Sequence, residues 1–183
     1  MKDRMLKSVA IMGVMLCALP LSSLADKPRV TPAMVDPVAG SLEGKLLRIW
    51  PNEQAEVVGV PQGVYLNGYG VVLMSKVNLS PVAGISPFHP SNGPDEVRRT
   101  HDKKVQRMDQ LRNTMREMLI DAAATLDSVP PDEQIALGVS LFYWNWENRD
   151  GLPSQVVMHA PKKVLLQVKT GAAAKTSIVS EEF

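Results

Sequence analysis

The chain has 183 residues, 45% of them hydrophobic, with 20 basic and 19 acidic side chains and a single cysteine. That length and apolar content suit one domain with a workable core. A formal charge of +1 offers no electrostatic case for nucleic acid or for an anionic membrane surface, so neither is an expected partner.

Residues 1–7 carry Lys2, Arg4 and Lys7 against Asp3, and the uncharged, mostly apolar run 8–24 follows. This is the pattern of a Sec-type export signal. Ser23-Leu24-Ala25 presents small residues at the two positions that signal peptidase inspects, so cleavage is expected before Asp26. A membrane anchor fits less well, because a spanning helix wants about 20 uninterrupted apolar residues and Pro20 interrupts this run. Cleavage would remove the only cysteine, Cys17, and with it any disulfide, thiol nucleophile or thiolate ligand. It would also take three basic residues and one acidic one, leaving a formal charge of −1. An export signal without disulfides points to a bacterial periplasm or cell exterior, with no stable membrane span after cleavage.

Residues 26–41 hold Pro28, Pro32 and Pro37 and show no clear apolar period, which reads as an extended, mobile leader. The domain proper is expected over 42–171. Residues 42–50 form an apolar segment that is compatible with helix or strand. Residues 57–79 are rich in Val, Tyr, Leu and Gly, the composition of a sheet. Asn67-Gly68 there signals a two-residue hairpin turn, and a single long strand bulged at Gly68 or Gly70 is the competing arrangement. Gly63, Gly68 and Gly70 lack the spacing of a phosphate-binding loop, and no Lys-Ser or Lys-Thr pair follows.

Prolines and glycines over 80–92 indicate a loop, with Ser91 or Asn92 as a possible helix cap. Pro94, Asp95 and Glu96 then have the chemistry of a helix start. Val97, His101, Val105, Met108, Leu111, Met115, Met118, Leu119, Ala122 and Leu126 recur at three- and four-residue steps, one apolar stripe along a long helix. Charged residues including Arg107 are assigned to its solvated faces.

After Pro130-Pro131 comes the most apolar run of the presumed domain, residues 135–146. At strand period neither face is polar, so a central strand covered on both sides is expected. The small residues Ala136, Gly138 and Ser140 would admit the long helix most closely. Asp150-Gly151 signals a reversal, 154–160 an antiparallel return strand, and Pro161 the start of a short helix that Gly171 stops. Residues 172–183 have no strong pattern and read as a disordered tail. The fold class expected is α+β: a mainly antiparallel sheet with one long helix packed across it and a short C-terminal helix.

The residues offer little chemistry. His89, His101 and His159 have no metal-binding spacing, and no cofactor or metal site is expected. Ser140 lacks the second glycine of a nucleophile elbow. Ser75 and Lys76 are adjacent on a strand and point to opposite faces, which rules out a dyad. Glu147, Asp150 and His159 lie near the aromatics of the presumed hairpin, and carboxylates beside rings line many hydrolytic clefts. Two readings follow. One is an exported, non-enzymatic binding module for an envelope protein or cell-wall component, with Tyr143, Trp144 and Trp146 as a partner surface. The other is a small hydrolase using Glu147, Asp150 or His159. A hydrolase needs a pocket where two of those groups converge, whereas a binding module needs an exposed apolar patch.

Overall fold

A computed structural model describes residues 30–53, 55–81 and 93–183. The expected signal (1–25), the first residues of the expected leader, and the loop and cap at 82–92 with His89 lie outside them.

The first element is helix α1, Pro32–Leu47, which corrects the reading of 26–41 as an extended leader. Pro32 occupies the first turn, where a missing N–H leaves no bond unmade. Pro37 does break the helical ladder inside α1, but it and Ala33, whose carbonyl it frees, are both on the exposed side. Val35, Val38, Ala39, Leu42 and Leu46 are buried at three- and four-residue steps. This stripe outweighs the prolines, and it makes 42–47 the second half of one helix. Two prolines at its N-terminal end had masked the period.

Strand β1 (Glu56–Val57) and strand β2 (Gln62–Leu66) both pair antiparallel with β3 (Gly70–Asn78). The β2–β3 link is a hairpin, with three turn residues, Asn67 to Tyr69, rather than two. Gly68 (φ 80°) and Gly70 (φ 130°) adopt conformations that side chains disfavour. At Gly70 a Cβ would also sit 1.9 Å from the Gln134 carbonyl oxygen.

Helix α2, Pro94–Thr125, has 32 residues and crosses to β4, Gln134–Leu141, which lies parallel to β3. A crossover of that length is what permits a parallel pair. Strand β5 (Gln155–Pro161) returns antiparallel to β4. Helix α3 (Lys162–Thr170) ends at Gly171 in the left-handed region, φ 78°. The tail is ordered, contrary to expectation: a 3-10 turn at Lys175–Ser177 leads to strand β6, Val179–Glu182, antiparallel to β5. Its side chains are all exposed, so no apolar alternation marked it. Backbone pairing and the Glu182 carboxylate on Arg112 of α2 (2.6 and 3.0 Å) hold it instead.

The fold is α+β, with a mixed six-stranded sheet in which four of the five pairings are antiparallel. The helices pack on one face of it. Val71, Leu73, Ile135, Leu137, Val139, Val156 and Met158 of that face are fully buried, together with Leu111, Met115 and Leu119 of α2. The other expected arrangement fails here. The α2 helix lies over Ile135 and Leu137, not over Ala136, Gly138 and Ser140, and no described helix covers the latter. A Cβ at Gly138 would meet only Gln155, Met74 and Val157 side chains of its own sheet. Larger apolar residues attract the helix more than close approach does, because burial scales with apolar area.

Candidate functional site

The loop between β4 and β5 holds Glu147 and Asp150 and the aromatics Tyr143, Trp144 and Trp146. Its centre is an ion pair that sequence reading missed. The Lys104 ammonium of α2 donates to Glu147 Oε2, and both side chains are 1% exposed. The same ammonium donates to the Phe142 carbonyl (2.9 Å) and stands 4.6 Å from the Tyr143 ring centroid. The second Glu147 oxygen accepts the Trp144 N–H at 3.1 Å. One carboxylate oxygen therefore holds the loop to the helix, and the other closes a turn within the loop.

Electrostatics follow from this burial. Desolvation lowers the Lys104 pKa from its ordinary value, against the raising effect of Glu147. The Tyr143 phenol is pushed up to about 12 by burial first and by the Glu147 charge second. Its hydroxyl donates to the Pro153 carbonyl (2.8 Å), so the ring braces the loop. One turn earlier on α2, His101 Nε2 lies 2.9 Å from the Asp150 carbonyl, and this contact raises the imidazole pKa.

The three candidate catalytic residues do not converge. Glu147 is on the helix side of the sheet, paired with Lys104. Asp150 is exposed at the loop tip. His159 pairs with Ala136 on the opposite face, with Nδ1 3.4 Å from the Gln134 side-chain oxygen. It lies four residues along β5 from Gln155, about 13 Å at strand rise. None of the three lines any of the five best-formed cavities among the described residues. Those lie mainly along the seam of α1 and α2, the first with a volume of about 290 Å³ between Leu42 and Met118.

Lys104 was legible in principle. Positions 101, 104, 108, 111, 115 and 118 continue the three- and four-residue steps of the stripe, and the apolar Val105 concealed the polar member. Val105 is in fact exposed. Arg107 is a second correction: it is buried, not solvated, and its guanidinium donates to the Leu79 carbonyl and to the Glu53 carbonyl at 2.7 Å. Long polar side chains cover the end of the core here while their heads find carbonyls.

The opposite face of the sheet is the second feature. Strand alternation places Val64 and Leu66 of β2, Val72 and Met74 of β3, Ala136 and Gly138 of β4, Val157 of β5 and Val179 of β6 on it. Val64 is 49% exposed, Leu66 47%, Met74 43% and Val179 46%. Phe183 continues β6 opposite Gln155 and is 68% exposed. At one end Phe142 packs edge-on against Trp144 (centroids 4.9 Å apart) beneath Lys76, and Trp144 is 40% exposed. Trp144 thus belongs to this face, while Tyr143 and Trp146 are half-buried in the loop.

Among the described residues no helix is long and apolar enough to cross a membrane, and no cluster of three metal-ligating side chains occurs. No protein-family model, curated protein or solved structure matches this chain.

Proposed function

We propose that this chain is an exported, non-enzymatic binding module whose contact surface is the sheet face that no described helix covers, with Trp144 at the rim. The observation that carries this reading is the group of half-exposed Val64, Leu66 and Met74 on the paired strands β2 and β3, with Val179 on the opposite edge strand β6. Contiguous apolar surface of this kind is a mark of contact sites. The engagement of both Glu147 oxygens supports it too, because a carboxylate held by a buried ammonium and a backbone N–H is poorly placed for proton transfer. Export rests on the N-terminal basic and apolar segments, and it puts the partner in the cell envelope.

The test is complementation of a deletion strain at matched protein level. Asp150→Asn is expected to complement, and Met74→Glu, which charges the surface without touching the helix-side core, is expected to fail. General acid or base work contributes about 100- to 10,000-fold in rate. Loss of complementation by a folded Asp150→Asn protein would overturn the binding reading in favour of a hydrolase.

A further inference from the structure

We infer that the occupant of the uncovered sheet face is a second copy of this chain, packed face to face about a two-fold axis. This rests on the reading of that face as the contact surface. Its size is the first argument. Five strands about 4.8 Å apart, each presenting some seven residues at about 3.3 Å, cover roughly 550 Å² in flat projection. Side-chain relief and the Trp144 rim bring this near the ~800 Å² per partner of a stable interface.

Relief and charge are the second argument, and both select the same axis. The face is low along β4, where Ala136, Gly138 and Ser140 stand, and higher along β5, where His159, Val157 and Gln155 are their direct neighbours. An axis lying in the face between β4 and β5 sets the low strand of each copy against the raised strand of the other. Large residues then meet small ones in both directions at once, as an isologous contact requires. The same axis exchanges β3 with β6, which sets Val72 against Val179. On this face the described strands carry Lys76 on β3, Glu56 of β1 opposite Asn78, and Glu181 on β6, with His159 the other titratable group. Rotation brings each Lys76 within side-chain reach of the other copy's Glu181. A face that is apolar, contoured in complementary halves and able to set Lys76 of each copy against Glu181 of the other is complementary to itself.

Edge-to-edge association through β6 is disfavoured. It would bring Glu181 and Glu182 of the two copies together, and charged edges oppose such pairing.

Sedimentation equilibrium of the protein purified from cells that make it tests the proposal. The expected result is a dimer. Lys76→Glu and Glu181→Lys should each weaken it about tenfold or more by placing like charges together, and the double reversal should restore it. A wild-type protein that stays monomeric at about 100 µM, a concentration that reveals even weak association, overturns the proposal, as does a double reversal no better than the single changes. Met74→Glu separates the two failures. If the wild type is monomeric and Met74→Glu still fails to complement, the face serves a different partner and the binding reading stands. If it complements, both readings fall.

Discussion

Replacing Lys104 by methionine removes the ammonium and keeps most of the side-chain volume. What remains is the Glu147 carboxylate, 1% exposed, with one N–H donor from Trp144 and no ion-pair partner among the described residues. Breaking a buried pair from one side costs about 3 to 5 kcal/mol, a large share of the roughly 5 to 15 kcal/mol that holds a domain folded. With a urea slope of about 2 kcal/mol per molar, the midpoint should fall by about 1.5 to 2.5 M. Lys104→Met with Glu147→Leu should recover part of this, because no charge is then stranded. Recovery is incomplete, since the Phe142 carbonyl and Trp144 N–H each lose a partner at about 1 to 3 kcal/mol. Tryptophan fluorescence during urea unfolding is the assay, with Trp144 and Trp146 beside the pair as reporters. A single-variant loss below about 0.5 kcal/mol, the range of an ordinary surface change, would refute the clamp. A double variant that loses the sum of the two single losses would refute the coupling.

Gly70→Ala is expected to cost more than about 3 kcal/mol, because its φ of 130° and the Gln134 carbonyl both exclude a Cβ, whereas Gly138→Ala meets only yielding side chains and should cost under about 1 kcal/mol. Matched urea midpoints for the two variants would show the register of β3 on β4 to be wrong. Ser75→Ala should raise stability by about 1 kcal/mol, since the Ser75 hydroxyl is buried on the helix side with no hydrogen-bond partner among the described residues. A destabilised Ser75→Ala protein would mean that the hydroxyl is bonded.

The amino-acid order by itself specified the periodic elements: the sheet character of 57–79, the long helix from Pro94, the central strand, its antiparallel return, and α3 with its glycine stop, while hairpin or bulged strand at Asn67-Gly68 stayed open. Each depends on contacts or turn conformations a few residues apart. The proposal of export rests on the sequence alone. Tertiary structure decided which face of β4 the helices cover, because both faces are apolar and only competition between them settles it. It also decided that α1 forms despite Pro37, since five side chains buried against β2, β3 and α2 outweigh one lost backbone bond, and that a tail without apolar alternation pairs as an edge strand. The Lys104–Glu147 pair joins residues 43 positions apart. Neither side chain has meaning there until α2 is laid against the β4–β5 loop and water is excluded from both. The open face became visible for the same reason: Val64, Met74, Val157 and Val179 are scattered along the chain, and strand pairing alone makes them one surface.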